Sequence, residues 1–183
     1  MSRKILVMTG SARRGGNSDL MADAFIRGAE EAGHEVIKYE AAAHPIKGCL
    51  YCDTCYSLGG DRACTHDQEF NELAPLYESC DTIVYVTSVF WFTFPAQLKA
   101  AMDKMYALMV GKRPFGIKES MLIAVGAGKE DFKYEGLIKS YELTARDRKW
   151  KDLGHYIVKG VNDYAAVKET EHLEKIEELG RRI

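Results

Sequence analysis

The stretch ILVMTGSARRGGNSDL, residues 5–20, decides the fold of this 183-residue chain. Its first four residues are an unbroken apolar run, which is typical of a strand buried on both faces of a sheet. After a glycine-rich turn, apolar residues recur from Leu20 to Ala32 at the spacing of one helix face, and Gly33 stands where a helix commonly ends. A strand, a glycine-rich turn and a helix N-terminus together form a site whose backbone N–H groups face an anion.

The rest of the chain repeats this alternation. Apolar runs predict further strands over residues 35–39, 82–87, 121–125 and 156–161, and helical patterns cover residues 65–79, 95–109, 131–149 and 163–179. In the helix over 65–79, Thr65 and Gln68 resemble a capping box, and Pro75 is unfavourable inside it. Five strands alternating with helices predict a single α/β domain over residues 1–183, with a five-stranded parallel sheet that is doubly wound into three α/β/α layers.

Composition narrows the class of partner. The formal net charge is −2, and lysines and arginines are scattered, so we expect neither nucleic acid nor a membrane as a partner. The N-terminus is too short for a signal-peptide core and no apolar run could span a bilayer, which predicts a cytoplasmic protein. In a doubly wound fold ligands bind beyond the carboxyl ends of the strands, so the loops at residues 10–18, 88–94 and 126–132 should converge on a small molecule.

The first of these loops does not match the common nucleotide motifs. From Gly10 the P-loop pattern fails because Gly16 and Asn17 stand where lysine and serine or threonine are required, and the dinucleotide pattern GxGxxG also fails. What remains is Ser11, Asn17 and Ser18 as hydrogen-bond donors and Arg13 as a positive charge, a set that suits a terminal phosphomonoester. A capped turn with surface arginines is the alternative.

The second loop is aromatic. Phe90, Trp91, Phe92 and Phe94 fall within five residues after the third predicted strand. A strand sends alternate side chains to opposite sides, so one packing surface would hardly bury all four. They could lie along a flat aromatic ligand, cap the core or form an oligomer interface.

Four of the five cysteines lie in the long loop over residues 41–63 and just after it. Cys49, Cys52, Cys55 and Cys64 give the pattern CxxCxxCx8C, which is closer to an iron–sulfur binding run than to a zinc site. Free structural or redox thiols are the alternative. Cys80 precedes a buried strand and is predicted to be a core residue.

Three motifs together resemble a known family. GSARRGGNS at 10–18, GCLYCDTCY at 48–56 and TSVFWFTFPAQLKAAMDKMY at 87–106 are similar to the flavodoxin-fold NAD(P)H-dependent FMN reductases, a family that includes the iron–sulfur flavoproteins. The resemblance covers residues 3 to about 128. It implies a flavodoxin-like sheet in the order 2-1-3-4-5, bound FMN, and a homodimer or homotetramer.

The resemblance also implies residue roles. Ser11, Arg13, Asn17 and Ser18 would hold the FMN phosphate. Ser88, Val89, Phe90, Trp91 and Phe92 would lie along the isoalloxazine, and the turn Gly126, Ala127 and Gly128 would complete the pocket. The family usually has Pro-x-Tyr-Trp where this chain has Ser-Val-Phe-Trp, so a hydrogen bond from a tyrosine hydroxyl is missing at that position.

The implied function is an FMN-dependent NAD(P)H oxidoreductase of the flavin or quinone reductase type, passing electrons to a small-molecule acceptor. Because the flavin itself carries the hydride, no protein acid or base is assigned. The alternative is an electron-transfer protein similar to the iron–sulfur flavoproteins, with a [4Fe–4S] cluster on Cys49, Cys52, Cys55 and Cys64. A third interpretation is a binding or regulatory domain that has lost the cofactor.

Overall fold

The computed structural model describes residues 2–183 as a three-layer α/β/α domain around one five-stranded parallel sheet. The strands are β1 Lys4–Thr9, β2 Glu35–Glu40, β3 Thr82–Ser88, β4 Glu119–Gly126 and β5 Lys151–Lys159. Their order is β2-β1-β3-β4-β5 and every pairing is parallel. The predicted fold class and strand order are therefore confirmed.

Helices cover both faces of the sheet. They are α1 Asn17–Glu31, α2 Gln68–Ser79, α3 Ala96–Asp103, α4 Met105–Val110, α5 Phe132–Arg148 and α6 His172–Arg182, with short 3-10 helices at Thr54–Tyr56 and Ala166–Glu169. Alternate residues of β1 enter two separate cores: Leu6 and Met8 pack with α2 to α5, whereas Ile5 and Val7 pack with α1 and α6. Among the described residues, no helix is both long and apolar enough to cross a membrane.

The predicted capping box of α2 is wrong. The helix begins at Gln68 and its N-cap is Asp67, whose carboxylate accepts a hydrogen bond of 3.2 Å from the backbone N–H of Phe70. Thr65 instead shares a hydrogen bond of 2.8 Å with the hydroxyl of Thr54. Asp67 is the better cap because it is also held by the amide of Lys47 at 2.8 Å.

The helix predicted over residues 95–109 is divided at Lys104 into α3 and α4. Lys104 turns its side chain inward to pair with Asp67, an interaction that the apolar stripe of the sequence does not reveal. Strand β5 begins five residues earlier than predicted, at Lys151, because it is a half-exposed edge strand rich in polar residues.

The predicted helix over residues 163–179 is also interrupted. A 3-10 helix, Ala166–Glu169, precedes α6, which begins only at His172. Ala165 has a φ of 58°, in the left-handed region, and this geometry excludes a continuous right-handed helix from residue 163. The residues before α6 consequently form a separate segment beside the loop that follows β1.

Candidate functional site

Two adjoining cavities lie at the carboxyl edge of the sheet, where the loops after β1, β3 and β4 meet. The smaller one, of about 180 Å³, is lined by Ser11, Arg13, Asn17, Ser18, Ser88, Val89, Phe90, Val125, Gly126, Ala127, Val161 and Asn162. The larger one, of about 370 Å³, is lined by Val89, Phe90, Trp91, Phe92, Gly126, Ala127, Gly128, Lys133 and Tyr134. All twelve residues of the predicted FMN site line one cavity or both.

The two cavities share four lining residues: Val89, Phe90, Gly126 and Ala127. The first is the polar end, with Arg13 as its one charged lining residue, and the second is the aromatic end. A still larger cavity, of about 530 Å³, lies between α3, α4 and α5, away from these loops.

The loop after β1 is shaped to receive an anion. Gly15 has a φ of 68°, which favours glycine, and its N–H donates to Asp19 at 2.6 Å. The N-cap of α1 is Gly16, which offers no side-chain cap to the first N–H groups of this 15-residue helix. Arg13 is exposed and forms no ion pair with any residue of 2–183. This donor set fits a phosphate group.

The other polar residues of the loop differ in what they are free to bind. Ser18 is 3% exposed and faces the smaller cavity from the first turn of α1. Ser11 Oγ accepts a hydrogen bond of 3.1 Å from the amide of Arg13. The amide group of Asn17 is occupied at both ends: Nδ2 donates to the carbonyl of Asp163 at 2.8 Å and Oδ1 accepts from the amide of Val167 at 3.1 Å.

The acidic residue nearest this loop is neutralised. Lys38 of β2 donates to Asp19 at 2.6 Å and to Asp23 at 2.7 Å. Burial acts to raise the pKa of Asp19, but the hydrogen bonds from Lys38 and from the amide of Gly15 outweigh it and hold that pKa below its ordinary value. Asp19 therefore fixes the loop through Gly15 while Lys38 balances its charge beside the anion site.

The aromatic loop is a tight turn with unfavourable backbone geometry. Phe90 and Thr93 exchange two backbone hydrogen bonds of 3.0 Å, and the residues between them, Trp91 and Phe92, have φ values of 44° and 66°. Two positive φ values at the centre of a hairpin define a type I′ turn, which normally carries asparagine and glycine. The Trp91 side chain is 90% exposed.

The turn rests on α5. The rings of Phe92 and Phe132 are 6.3 Å apart, and a Cβ at Gly136 would stand 2.6 Å from the carbonyl oxygen of Phe92. Phe94 is different from its neighbours because it is buried against Tyr85, with ring centroids 5.6 Å apart. Phe94 anchors the loop in the core while the preceding aromatic residues stay at the cavity.

The loop after β4 joins the site to the loop after β5. The carbonyl of Gly126 accepts from the amide of Val161 at 3.1 Å, and the carbonyl of Gly128 accepts from the amide of Gly160 at 2.9 Å. Tyr134 also donates to the Gly128 carbonyl at 2.6 Å, and burial raises the pKa of this tyrosine. It therefore stays protonated and keeps the turn in place.

Five lining residues were not predicted from the sequence: Val125, Lys133, Tyr134, Val161 and Asn162. Val161 and Asn162 follow β5, whose carboxyl end lies at the same edge of the sheet as those of β1, β3 and β4. Their position directly after a strand of the parallel sheet is the sequence signal that places them at this edge.

The four clustered cysteines line a single small pocket of about 30 Å³, together with Lys104. Asn71 fixes Cys64 by accepting from its amide at 2.8 Å and donating to its carbonyl at 2.9 Å. Lys104 Nζ donates to Cys64 Sγ at 3.4 Å.

No three cysteine, histidine or acidic side chains within residues 2–183 stand together as a metal-binding group. The pocket has room for only a few atoms. As arranged, these residues do not fit a [4Fe–4S] cluster. Cys80 is buried in the core, as predicted.

The fold and the paired loops define a flavodoxin-like α/β protein with an anion end and an aromatic end at one edge of its sheet. The family model for NADPH-dependent FMN reductase matches residues 3–132. The chain belongs to this family.

Individual proteins are similar over most of the chain. An iron–sulfur flavoprotein of Archaeoglobus fulgidus is 31% identical over 133 residues, which are 70% of this chain and 57% of that protein. A Bacillus subtilis protein, YwqN, named as a candidate NAD(P)H-dependent FMN-containing oxidoreductase, is 26% identical over 145 residues, 76% of this chain and 75% of that one. The chain thus spans little more than half the length of the first of these relatives.

Among solved structures, an NAD(P)H:quinone oxidoreductase from Methanothermobacter marburgensis superimposes with a TM-score of 0.79. The alignment covers 100% of this chain and 96% of that protein at 17% sequence identity. At this level of identity the similarity establishes the fold.

Proposed function

We propose that the protein is an FMN-dependent NAD(P)H oxidoreductase. One observation carries the proposal: two loops far apart in sequence line two cavities that share Val89, Phe90, Gly126 and Ala127. They are the loop at residues 10–18, named here the anion loop, and the aromatic loop at residues 88–94. FMN has the matching shape, with a phosphate at one end and a flat ring system at the other. Membership of the NADPH-dependent FMN reductase family supports the same cofactor.

In this proposal the polar cavity holds the phosphate. Arg13 supplies the positive charge, Ser11 and Ser18 supply hydroxyl groups, and the uncapped start of α1 supplies backbone N–H groups. Asn17 lines the same cavity; its side chain already bonds the carbonyl of Asp163 and the amide of Val167, and its second Nδ2–H and its backbone N–H are the donors it can offer the phosphate.

The aromatic cavity holds the isoalloxazine. Residues 89–92 and the turn at residues 126–128 line this cavity, whereas Ser88 lines only the polar cavity. Bound FMN would supply the hydride and electron transfer chemistry, so the protein would be required to bind and orient the cofactor rather than to supply an acid or base. Tyr134 contributes by fixing the Gly128 carbonyl that borders the ring.

Anaerobic reduction tests the proposal directly. Protein loaded with FMN is mixed with NADPH and, separately, with NADH, and the flavin absorption band is followed. We expect it to bleach with at least one donor and to recover when a quinone or free flavin is added. A protein that binds FMN but bleaches with neither donor would exclude the reductase.

A second candidate function is electron transfer through a [4Fe–4S] cluster. It is favoured by the convergence of Cys49, Cys52, Cys55 and Cys64 on one pocket and by the similarity to a protein named iron–sulfur flavoprotein. Since the cysteines as arranged do not fit a cluster, its binding requires the loop over residues 48–66 to rearrange.

Metal analysis separates this candidate from a flavin-only reductase. Protein purified without oxygen should contain about four iron and four sulfide per chain, and Cys55→Ser should lose them, if the cluster forms. Cys80→Ala, which lies in the core outside the pocket, is the control and should retain them. Flavin-loaded protein without iron would reject the cluster and leave the reductase standing.

The acceptor and the assembly belong to the same proposal. We propose a small-molecule acceptor that reaches the exposed side of the aromatic cavity at Trp91, and a homodimer or homotetramer as the working form. Light scattering of the FMN-loaded protein tests the assembly, and a monomer at micromolar concentration would contradict it.

A further inference from the structure

A segment beyond the family match closes one side of the polar cavity. Residues 160–167, named here the C-terminal strap, follow β5, and the family match ends at residue 132. Val161 and Asn162 of the strap line the same cavity as Arg13 and Ser18. The cavity therefore has a wall formed by the strap, in addition to the loops after β1, β3 and β4.

Side chains tie the strap to the anion loop. Asn17 holds it at two points, through the carbonyl of Asp163 at 2.8 Å and the amide of Val167 at 3.1 Å. The Tyr164 hydroxyl donates to the carbonyl of Arg14 at 2.6 Å and would be 2.7 Å from a Cβ at Gly15. The strap thus contacts the anion loop on both sides of Gly15.

Backbone hydrogen bonds fix the other end of the strap. The amides of Gly160 and Val161 donate to the carbonyls of Gly128 and Gly126 at 2.9 and 3.1 Å. Between these bonds and the contacts to the anion loop lies Asn162. Its side-chain amide has no hydrogen-bond partner within residues 2–183 although it lines the cavity. Asn162 is exposed, so its amide is accessible to a ligand that enters the cavity, and the segment that carries it is fixed at both ends.

We propose that the strap is part of the FMN site: Asn162 hydrogen-bonds the phosphate of FMN, and Asn17 and Tyr164 are positioning residues. Asn162 shares its cavity with Arg13 and not with Trp91 or Phe92, so it serves the phosphate end and not the ring. This inference rests on the proposed function, because it concerns the same cofactor.

The direct contact is tested by comparing two ligands. FMN and riboflavin differ in the phosphate, and quenching of flavin fluorescence gives the affinity of each for the apoprotein. Asn162→Ala should weaken FMN binding about fivefold to tenfold. Asn162→Asp brings a negative charge to the phosphate end and should weaken FMN by more than that while affecting riboflavin less.

Gln68→Glu is the control for the added charge, because Gln68 is exposed at the start of α2 and lines neither cavity. It should leave both affinities unchanged. FMN affinities within twofold of the unmodified protein for both Asn162 variants would overturn the contact. An equal loss for FMN and riboflavin would also overturn it, since the phosphate end would then not be involved.

The positioning role is tested first in the apoprotein and then by the dissociation of bound FMN. In the apoprotein, hydrogen–deuterium exchange over residues 160–167 should be faster in Asn17→Ala and Tyr164→Phe, because the Val167 amide and the Arg14 carbonyl lose their partners. FMN should dissociate faster from the same variants. Tyr156→Phe is the matched control, because it removes a tyrosine hydroxyl that contacts His172 at 2.8 Å outside the strap.

The outcomes separate this inference from the proposed function. If the unmodified protein binds no FMN, the proposed function fails, whereas the exchange data still report on the contacts of the strap. If the unmodified protein binds FMN, and Asn17→Ala and Tyr164→Phe alter neither the exchange nor the dissociation rate, the positioning role is wrong and the proposed function is unaffected.

Discussion

At the scale of single residues, Arg13 is the positive charge that the polar cavity offers to an anion. It is the one charged side chain that lines the polar cavity, whereas Arg14, its neighbour, lines neither cavity. Arg13 also has no ion-pair partner in residues 2–183, so nothing within that part of the chain competes with a ligand for its guanidinium group. The two adjacent arginines therefore form a matched pair for mutagenesis.

We expect Arg13→Ala to weaken FMN binding by about 1 to 3 kcal/mol, because a charge-assisted hydrogen bond is lost. Fluorescence titration of the apoprotein measures the change. Arg14→Ala should bind FMN as the unmodified protein does, and riboflavin binding should hardly respond to either substitution. An equal effect of both substitutions would mean that general surface charge, and not a specific contact, attracts the phosphate.

A buried ion pair lies beside the cysteine pocket. Lys104 and Asp67 are 3% and 2% exposed and lie 2.9 Å apart. The carboxylate also accepts from the amides of Lys47 and Phe70, so it joins the long loop, α2 and the junction of α3 with α4. An uncompensated charge at such a position is costly, whereas removing both charges together is often tolerated.

We expect Asp67→Asn to lower the free energy of unfolding by about 3 to 5 kcal/mol, because Lys104 is left buried without its partner. Denaturant unfolding measures this loss. Lys104→Met should cost less, since the carboxylate keeps two backbone donors, and the double variant should recover part of the loss of Asp67→Asn. Additive losses in the double variant would show that the pair is not coupled.

This pair also gives stability a pH dependence. Burial acts to raise the pKa of Asp67, but Lys104 and the two backbone amides outweigh it and hold the pKa below its ordinary value. The stabilisation is therefore fully present above about pH 4, the ordinary range of an aspartate, and is lost as the pH falls through the lowered pKa. As the pH is lowered from 7 to 3, the difference in free energy of unfolding between the unmodified protein and Lys104→Met should decrease.

At the scale of elements, the backbone geometry of the aromatic turn lowers the stability of the fold while it shapes the cavity. L-residues other than asparagine and aspartate are uncommon in the left-handed region, and here Trp91 and Phe92 both occupy it. Trp91 is almost fully exposed, so little packing compensates for its backbone geometry. Such geometry at a cavity is typical of a binding loop.

We expect Trp91→Asn to raise the free energy of unfolding of the apoprotein by about 1 kcal/mol, because asparagine tolerates this geometry. Thermal unfolding without FMN measures the gain. Trp91→Ala removes the same ring without improving the backbone and should give no gain. If Trp91 lies along the isoalloxazine, both variants should also bind FMN more weakly, and stability and affinity would then change in opposite directions for Trp91→Asn.

The elements also show which structural features can be predicted from the sequence. Strand β1, its loop and the end of α1 were predicted because their signals are local: an apolar run, a glycine turn, and Gly33 with a φ of 85°. The division of α3 from α4 was not predicted, because it depends on the ion pair of Lys104 with Asp67, which is 37 positions away in sequence. From the sequence alone, a lysine at that position is expected to face solvent. Periodicity carries no information about such long-range pairs.

For the candidate site, the sequence predicts which residues line the cavities but not which hydrogen bonds their side chains form. All twelve predicted residues line the two cavities, because loops at one edge of a parallel sheet must meet. The engagement of Asn17 by the strap was not predictable, because the partner atoms belong to the backbone of residues 163 and 167. Which backbone groups a side chain bonds depends on the path of the folded chain, and the residue types along that path do not indicate it.

At the scale of the whole molecule, β5 joins the part of the chain beyond the family match to the sheet, and α6 joins it to α1. These helices cross at two glycines, Gly28 of α1 and Gly180 of α6. A Cβ at Gly28 would overlap the carbonyl oxygen of Glu177, and one at Gly180 would overlap that of Phe25. The helices therefore pack backbone against backbone.

Gly28→Ala distinguishes the effect of this packing on stability from the effect of helix propensity. Alanine favours a helix over glycine by about 1 kcal/mol, so propensity alone predicts a more stable protein. Overlap with the backbone of α6 predicts the opposite, a loss of about 1 to 3 kcal/mol, because a main-chain carbonyl cannot rotate away as a side chain can. We expect the loss to prevail in denaturant unfolding and hydrogen–deuterium exchange in α6 to increase. Gly48→Ala, with no atom within 4 Å of the added Cβ, should be neutral, and a gain in stability from Gly28→Ala would mean that α1 and α6 are not in backbone contact in solution.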